Sequence, residues 1–218
     1  MIIIMLGAQG SGKGTVGKQL AEELGLVYIS TGEIFREHIK NNTKLGIEAN
    51  KYILVGNLVP DELTAKVVKD RLSRQDVKVC GALLDGYPRN TSQCEELDDM
   101  LKTLNMKVDL AINLDVDYDE LIHRITTRRV CKNCRAGYNT EYNPTKVDGI
   151  CDICGGQVVQ RADDTEDAVR QRLNIYYTNE KAVLDYYEKQ DKLIIEKAGD
   201  KIGRTSKDVA YDLVEKLK

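Results

Sequence analysis

The stretch that decides the fold is MIIIMLGAQGSGKGT, residues 1–15. Its first six residues form an unbroken apolar run, which predicts a strand buried on both faces of a parallel sheet. Residues 7–15 contain the pattern G-x-x-x-x-G-K of a phosphate-binding loop. Apolar residues then recur at helical spacing over 15–24, and Gly25 favours the end of that helix. Strand, glycine-rich loop and helix, in this order, are the context that such a loop requires.

The chemistry of this loop fits a bound phosphate. Glycines allow backbone N–H groups to curl round an anion, and the N-terminus of the following helix adds positive potential. Lys13 supplies a full charge, and Thr15 supplies a hydroxyl one residue later than in the general motif, because Gly14 is inserted. The alternative is a turn that only joins strand to helix, but it would need neither the lysine nor the hydroxyl. We therefore predict a nucleotide site.

The rest of the chain alternates predicted strands with predicted helices. Strands are predicted at 27–30, 77–84, 108–114 and 193–196, and helices at 62–72, 91–104, 117–128, 165–189 and 206–217. Helical patches after residue 31 are interrupted by Asn41-Asn42 and by Gly46. Asp61 and Asp117 are expected to cap the helices that follow them. This alternation predicts a parallel, doubly wound α/β sheet.

Composition narrows the possible classes of function. With 218 residues, 42% apolar and 31% charged, the chain can form one compact core with small insertions. It has no run of about 18 apolar residues, and its apolar start is too short for a secretory signal, so we expect a cytoplasmic protein without a membrane span. The net charge of -3, from 32 basic and 35 acidic residues, gives no support for general binding of nucleic acid or membranes. Any anion site is therefore local.

Four of the six cysteines form two close pairs within residues 129–161, where no periodic pattern is sustained. Cys131-x2-Cys134 and Cys151-x2-Cys154 are separated by the 16 residues 135–150, a spacing typical of a tetrahedral zinc site. Reduced pairs, a disulfide and bound iron are the alternatives. Four protein ligands leave no open position, so the predicted zinc is structural. The other two cysteines, Cys80 and Cys94, are expected to be ordinary thiols.

Further motifs occur along the chain in the order found in one enzyme family. They are Gly-Lys-Gly-Thr at 12–15, Ser30-Thr31-Gly32 with Arg36, Gly56-Asn57-Leu58-Val59-Pro60, Asp85-Gly86-Tyr87-Pro88-Arg89 with Gln93, and Arg124, Arg128, Arg161, Asp163, Asp164 and Arg172. On these residues the sequence resembles adenylate kinases over nearly its whole length, and the cysteine module looks like the zinc-bearing lid of bacterial forms. Gln9 replaces the usual Pro, and Thr127 replaces a common Gly, but neither departure removes a charged group.

The resemblance implies a fold and a reaction. The fold is that of a P-loop nucleoside monophosphate kinase, an α/β protein whose central parallel sheet is flanked by helices, with an AMP-binding insertion and a zinc-ribbon-like lid. The domains would be a core of 1–29, 60–126 and 165–218, a nucleoside-monophosphate-binding domain of 30–59, and a lid of 127–164. The reaction is the reversible, Mg2+-dependent transfer of the terminal phosphoryl group of ATP to AMP, which gives two ADP.

The resemblance also implies the site residues. Those of phosphoryl transfer are Lys13, Arg89, Arg124, Arg128, Arg161 and Arg172. Those that bind ATP are Gly10, Ser11, Gly12, Lys13, Gly14, Thr15, Arg124, Arg128, Gly137 and Tyr138. Those that bind AMP are Thr31, Arg36, Asn57, Leu58, Val59, Gly86, Tyr87, Pro88, Arg89, Gln93, Arg161 and Arg172, with the Gln93 amide on the adenine edge. Mg2+ would be held by Thr15 and, through water, by Asp85.

A basic site suits this chemistry, because phosphoryl transfer needs two anionic substrates held in line, water excluded and spreading charge neutralised. Taken singly, each arginine is better interpreted as a solvated surface residue, and only the resemblance favours a role in the site. Arg124 and Arg128, four apart on a predicted helix, would share a face. Asp85 is alternatively a turn-capping residue before a glycine. The Asp163-Asp164 pair could cap the long helix, whereas the resemblance makes it a latch for the lid arginines.

Three other functions fit the sequence less well. A kinase for UMP, CMP or GMP is disfavoured by the full-length lid and by Gln93. A nucleic-acid-binding ATPase with a zinc ribbon is disfavoured by the acidic balance and by the lack of aromatic residues among the basic ones. A structural protein with a degenerate loop fits poorly with an intact Lys13 and Thr15. The expected partners are therefore the small molecules ATP, AMP and ADP, with no nucleic acid or membrane, and the expected state is a monomer.

Overall fold

The computed structural model describes residues 1–199 and 206–217. In chain order the elements are β1 (Ile2–Gly7), α1 (Lys13–Glu23), β2 (Val27–Ser30), α2 (Thr31–Lys40), α3 (Lys44–Ile53), α4 (Asp61–Leu72), α5 (Gln75–Cys80), β3 (Ala82–Asp85), α6 (Thr91–Thr103), β4 (Leu110–Asp115), α7 (Tyr118–Thr126), β5 (Arg128–Cys131), β6 (Gly137–Asn139), β7 (Val158–Val159), α8 (Glu166–Glu188), β8 (Leu193–Lys197) and α9 (Ser206–Leu217). Among the helices of these two ranges, none is long and apolar enough to cross a membrane.

Five strands form one parallel sheet in the order β2-β3-β1-β4-β8. The strands β6, β5 and β7 form a separate antiparallel sheet in that order. At least one helix separates each strand of the larger sheet from the next one along the chain. The predicted parallel α/β architecture is therefore confirmed, with the amino-terminal strand at its centre.

The central strand β1 is buried on both faces, as its apolar run predicts. Ile2 and Ile4 belong to a core cluster with α4, α6 and the carboxyl-terminal half of α8. Ile3 and Met5 belong to a second cluster with α1, α7, α9 and the amino-terminal half of α8. Burying each such side chain contributes roughly 1.5–3 kcal/mol before conformational entropy is counted. The sheet is thus fixed between two helical layers.

The parallel strands bring their carboxyl ends to one edge of the sheet. At this edge β1 runs into the glycine-rich loop, β2 leads into Thr31 and β3 ends at Asp85. The register pairs Asp85 with Met5 of β1 and with Ser30 of β2. Ligands of open α/β sheets bind at this edge. The sheet therefore gathers three predicted parts of the site before any side chain contact is considered.

The predicted strand at 77–84 is half wrong. Residues 75–80 form the helix α5, and only Ala82–Asp85 form the strand β3. Gly81 separates the two elements with a positive φ of 81°, at a position where a Cβ would overlap the backbone of Met1. A short apolar run does not by itself distinguish a buried strand from a helix. Here the exposed side chain of Val79 belongs to the helix.

Two other boundaries differ from the prediction. The helix expected at 117–128 ends at Thr126, so Arg128 opens β5 and does not share a helix face with Arg124. Gly46, expected to interrupt a helix, lies inside α3. A Cβ at Gly46 would overlap the carbonyl group of His38, so glycine is there because α3 meets the end of α2 at close range.

Two predicted helix caps are also wrong. The N-cap of α4 is Pro60, and the Asp61 carboxylate accepts hydrogen bonds from the side chains of Asn90 and Gln93 instead. The N-cap of α8 is Thr165, whose hydroxyl accepts from the N–H of Ala168, so the aspartates before it are available for other partners. In both places tertiary partners outweigh the local cap preference, namely amide side chains at Asp61 and guanidinium groups at Asp163 and Asp164.

The two predicted insertions have small hydrophobic clusters of their own. Phe35, Ala49 and Val59 form one cluster, in the segment that contains α2 and α3. Residues of β5–β7 form the other, which includes two cysteines. Each cluster is separate from the two that cover the large sheet, so each insertion has little apolar material to stabilise it.

Replacement of Gly46 by Ala tests the close contact between α2 and α3. We expect it to lower the free energy of unfolding by about 1–3 kcal/mol, because the added methyl group overlaps the His38 carbonyl. Urea denaturation followed by circular dichroism measures the change. Gly137→Ala is the matched control, since a Cβ there meets nothing within 4 Å. Equal stabilities of the two variants would contradict the prediction.

Candidate active site

The phosphate loop joins β1 to α1 in the predicted context. Gly7, Gly10 and Gly12 have φ angles of 130°, 89° and 93°, which favour glycine. At Gly7 a Cβ would lie 2.7 Å from the carbonyl oxygen of Leu114. Gly12 is the N-cap of α1 and has no side chain that could bind the first N–H groups of the helix. These N–H groups are thus suited to an anion.

The side chain of Lys13 folds back onto this loop. Its Nζ donates to the carbonyl oxygens of Gly7 and Ala8, at 2.6 and 2.7 Å. Burial lowers the pKa of Lys13 to about 8; Asp85 opposes this shift, and Arg89 adds to it. A bound phosphate would place a negative charge beside the ammonium group and raise this pKa again.

Asp85 lies beside the loop at the end of β3. Its Oδ2 accepts a hydrogen bond of 2.6 Å from the Tyr28 hydroxyl. The same oxygen is 3.8 Å from the place that a Cβ would take on Gly14. Burial, together with this carboxylate, raises the pKa of Tyr28, so the phenol remains a donor. Thr15 is exposed and lines the same cavity. Carboxylate and hydroxyl oxygens are ligands that Mg2+ accepts, so the pair fits such an ion.

On the other side of Asp85, the predicted AMP residues meet around Gly86. The Thr31 hydroxyl and the Arg89 Nε each donate to the Gly86 carbonyl oxygen, at 2.9 Å. The Arg36 guanidinium lies beside Gly32, where a Cβ would be 3.0 Å from it. Burial lowers the pKa values of Arg36 and Arg89. Two guanidinium groups thus lie close to the end of β3, with Arg36 half-buried and Arg89 exposed on the cavity wall.

Gln93 is placed by hydrogen bonds that the sequence did not indicate. Its Oε1 accepts from the Arg89 N–H at 2.7 Å, and its Nε2 donates to Asp61 at 2.6 Å. An amide side chain has two N–H groups and two acceptor lone pairs, so one of each remains. Gln93 is among the residues that line the cavity, and its contact with adenine stays a prediction.

The lid arginines are held by acidic side chains. Arg128 makes two hydrogen bonds to the Asp164 carboxylate, one of them 2.8 Å from Nε to Oδ2. Arg124 pairs with Glu120 at 2.7 Å. Burial lowers the pKa of Arg161 to about 9, and the neighbouring Arg128 contributes to this. That pKa is still well above neutral, so the guanidinium stays charged.

Arg172 connects the lid base to the segment of residues 30–59. Its guanidinium donates to the Asp163 carboxylate at 2.9 Å and to the carbonyl oxygen of Ile53, at the end of α3, at 2.6 Å. A second contact in this region joins Gln171 of α8 to Asn57 at 3.2 Å. The insertion therefore packs against α8 through polar groups.

One cavity of about 1230 Å³ contains nearly all of these groups. Seven cationic side chains predicted from the sequence line it, namely Lys13, Arg36, Arg89, Arg124, Arg128, Arg161 and Arg172. Further predicted residues from three segments line it as well. They are Gly10, Gly12, Gly14 and Thr15 of the loop, Thr31, Asn57, Leu58, Val59, Gly86, Pro88 and Gln93 of the predicted AMP side, and Gly137 and Tyr138 of the lid. Residues far apart in sequence thus face one space.

Two predicted site residues do not line this cavity. Ser11 is 1% exposed, and its hydroxyl has no hydrogen-bond partner among the described residues. Tyr87 is fully buried in the core, and its hydroxyl donates to Glu96 at 3.2 Å. The geometry gives both side chains a place inside the fold, so any contact with nucleotide would come from their backbone.

Four further cationic side chains line the cavity, and the sequence did not indicate them. They are Lys18, Arg129, Arg135 and Lys207. Arg129 directly follows Arg128, so its position in the chain was a usable signal. Lys207 carried no local signal, because only the packing of α9 against α1 brings it to the cavity. Gln9 is a further cavity residue whose role the loop motif did not predict.

The four cysteines of the lid form one cluster. Their Sγ atoms all lie within 4.8 Å of one another, and the pairs Cys131–Cys154 and Cys134–Cys151 are 3.5 Å apart. These distances exclude disulfides, whose sulfur atoms are about 2.05 Å apart. Four sulfurs at about 2.3 Å from a tetrahedral zinc would be about 3.8 Å from one another, so the cluster fits that ion.

Hydrogen bonds favour the thiolate form at Cys151, whereas those from the neighbouring sulfurs raise the pKa of Cys134 to about 12. The Tyr138 hydroxyl, 3.3 Å from the Cys151 sulfur, lowers the pKa of this thiol to about 6. Backbone N–H groups of residues 153 and 154 contribute to the same shift. Because metal binding requires deprotonated sulfur, this environment suits a metal ligand.

Comparison with known proteins identifies the family. The family model described as adenylate kinase matches residues 5–192. The chain belongs to the adenylate kinase family. It is 48% identical over 209 residues to an adenylate kinase of Ruminiclostridium cellulolyticum, with 96% of this chain and 97% of the relative covered. Similar proteins of the same name occur in Acetivibrio thermocellus, with 46% identity and 96% of each chain covered, and in Clostridioides difficile, with 44% identity and 98% of each covered.

The known reaction of the adenylate kinase family is the conversion of ATP and AMP into two ADP, and it is the reaction of this chain. The chain is accordingly a nucleoside monophosphate kinase, a nucleotide-binding phosphotransferase. The two alternatives from other classes, a nucleic-acid-binding ATPase and a structural protein with a degenerate loop, are thereby excluded. The predicted fold and reaction class are confirmed.

The pKa of Lys13 gives the enzyme a measurable proton linkage. Without ligand, about half of the Lys13 side chains are neutral at pH 8, and ATP phosphates would restore the charged form. We therefore expect ATP binding to take up about half a proton at pH 8 and much less at pH 6.5. Calorimetric titrations in buffers of different ionisation enthalpy measure this uptake. Lys13→Met should abolish it, and equal uptake by both proteins at pH 8 would contradict the assignment.

Proposed function

We propose that phosphoryl transfer takes place within the single cavity described above, with ATP on the phosphate loop under the lid and AMP against residues 30–59. The observation that carries this proposal is the convergence of seven cationic side chains from separate segments on one space of about 1230 Å³. Two anionic nucleotides are the ligands that such a charge distribution favours. The same division gives the three predicted domains. They are a core of 1–29, 60–126 and 165–218, a nucleoside-monophosphate-binding domain of 30–59, and a lid of 127–164.

The cations divide into three groups by their position. Lys13, Arg124 and Arg128 would bind the ATP phosphates, and Arg36 with Arg89 would bind the AMP phosphate. Arg161 and Arg172 lie near both groups. The charges of Arg128 and Arg36 both lower the pKa of Arg161. Arg161 and Arg172 would stabilise the charge on the transferred group. Positioning and electrostatic stabilisation account for most of the catalysis in reactions of this class.

Thr15 and Asp85 are the residues that would hold magnesium, Asp85 through water. The ion supplies charge neutralisation between the phosphates when it is bound. The Tyr28 hydroxyl, bonded to Asp85 Oδ2, would orient this carboxylate beside the loop. The alternative interpretation of Asp85 as a simple turn cap is less well supported, because its known partner is a buried phenol.

The lid would exclude water from the transferred phosphoryl group. Water competes with AMP as the acceptor, so an open site would hydrolyse ATP. Gly137 and Tyr138 of β6 line the cavity and would cover the ATP side. The Arg128–Asp164 pair joins the first strand of the lid to the segment that leads back to α8, which would hold the lid near the core.

The cysteine cluster is proposed to hold a structural zinc ion. All four ligands come from the protein, so no position is left for a reacting water. The lid has a small hydrophobic cluster, and metal binding would supply the stability that its core lacks. Zinc would therefore keep the lid ordered and take no part in the reaction. A cytoplasmic monomer that binds no nucleic acid completes the proposal.

Arg89→Lys tests the proposed site. The lysine keeps the charge but loses the two-pronged hydrogen bonding of guanidinium to phosphate, so we expect kcat/KM for AMP to fall about a hundredfold. A coupled assay of ADP production measures this. The exposed Arg74, paired with Asp70, gives the matched control Arg74→Lys, which should retain wild-type activity.

The same assay distinguishes the acceptor. The wild-type protein should use AMP far better than UMP, CMP or GMP. An Arg89→Lys variant with wild-type kcat/KM would refute the proposed role of this arginine, and absence of product with AMP would refute the proposed function as a whole.

Cys151→Ser tests the structural zinc. Because serine is a poor zinc ligand, we expect less than one equivalent of zinc, a lower melting temperature and residual kinase activity. Metal analysis and calorimetry measure the first two. Cys80→Ser is the control, since Cys80 is exposed and lies outside the cluster. A Cys151→Ser variant with one equivalent of zinc and full thermal stability would disprove the assignment.

A further inference from the structure

Gln9, the residue that replaces proline in the phosphate loop, makes two side-chain contacts with charged groups. Its Nε2 lies 3.3 Å from Oδ1 of Asp164 and donates to it. Its Oε1 lies 3.3 Å from a terminal nitrogen of Arg172 and accepts from it. The amide thus bridges the Asp164 carboxylate and the Arg172 guanidinium. The nearest atoms of these two groups are 4.0 Å apart.

Each partner of Gln9 is tied to a different part of the cavity. Asp164 binds Arg128, the first residue of the lid strand β5. Arg172 binds the carbonyl oxygen of Ile53, at the end of α3 in the segment of residues 30–59. A continuous row of polar contacts therefore runs from the lid through the phosphate loop to the proposed AMP side.

The amide has the chemistry that this position requires. A carboxylate only accepts hydrogen bonds and a guanidinium only donates them, so a neutral group between them must offer one donor and one acceptor. The Asp164 side chain is fully buried, and that of Arg172 is 15% exposed, so water competes weakly at this point. Proline, methionine or leucine would offer neither group, and glutamate would face the Asp164 carboxylate with a like charge.

We infer that Gln9 is a positioning residue that couples closure of the lid over ATP to the arrangement of Arg172 on the AMP side. This inference rests on the proposed placement of the two nucleotides. Gln9 acts through Asp164 and Arg172, which it holds in one mutual arrangement. Removal of the amide should leave each nucleotide site intact while weakening the connection between them.

Binding coupling is the quantity that tests this role. Isothermal titration calorimetry measures AMP affinity with and without a non-hydrolysable ATP analogue, and the ratio of the two affinities is the coupling factor. Gln9→Met removes both hydrogen-bonding groups at nearly constant volume. We expect the coupling factor to fall about fivefold to tenfold from a wild-type value in the usual range for linked sites, with each single-ligand affinity changed less than twofold. Gln9→Glu should reduce it at least as much, because two carboxylates then face each other.

The control is Gln75→Met, the same chemical change at an exposed position at the start of α5, near the opposite edge of the sheet. It should keep the wild-type coupling factor. A Gln9→Met protein that binds both ligands with unchanged coupling would overturn the inference. So would a variant whose two single affinities and melting temperature fall together while the coupling factor stays constant, since that result indicates a merely structural role. If the wild-type protein binds neither ligand, the proposed function fails instead.

Discussion

The physical constraint on which this structure depends is the repulsion among cations gathered around one cavity. Burial and neighbouring cations lower the pKa values of Lys13 and Arg161, and burial does the same for Arg89. Such a group is tolerated only where acidic partners or bound anions compensate it. Glu120, Asp163 and Asp164 supply part of this compensation from within the protein, and the nucleotide phosphates would supply the rest. The overall charge of -3 is therefore compatible with a strongly basic interior surface.

The fold brings the cations and the acidic residues that compensate them from distant segments to one sheet edge. Parallel strands place the phosphate loop and Asp85 side by side, and the two insertions add Arg36, Arg128 and Arg161. The acidic residues that hold these arginines are themselves buried or lie at element ends. Consequently the same carboxylates that neutralise the site also fix the lid and α8 in place. In this site electrostatic balance and domain arrangement are parts of one network, with Gln9 near its middle.

Much of the fold and site could be read from local patterns. The strand 27–30 and the helix 206–217 were predicted with the observed bounds, and the phosphate loop was recognised because its glycines, lysine and flanking elements are contiguous. The cysteine spacing likewise identified a compact cluster. Errors arose where a local preference competed with a tertiary one. Asp61 was expected to cap a helix, but it binds Gln93 across the fold, and residues 77–80 were expected in a strand although their apolar run forms a helix.

By itself, the sequence determined the class of fold, the phosphate loop, the cysteine cluster and, through its motifs, the family. These features depend on residues close together in the chain, whose backbone geometry and chemistry act locally. Only the tertiary structure decided which arginine pairs with which carboxylate, that Arg128 begins a strand, and that Lys207 faces the cavity. The reason is that the contact of Arg128 with Asp164, 36 positions apart, and the packing of α9 against α1 join segments that are distant in the chain, and no local pattern specifies where packing brings them together. The Gln9 amide belongs to this second group, since its partners lie 155 and 163 residues away.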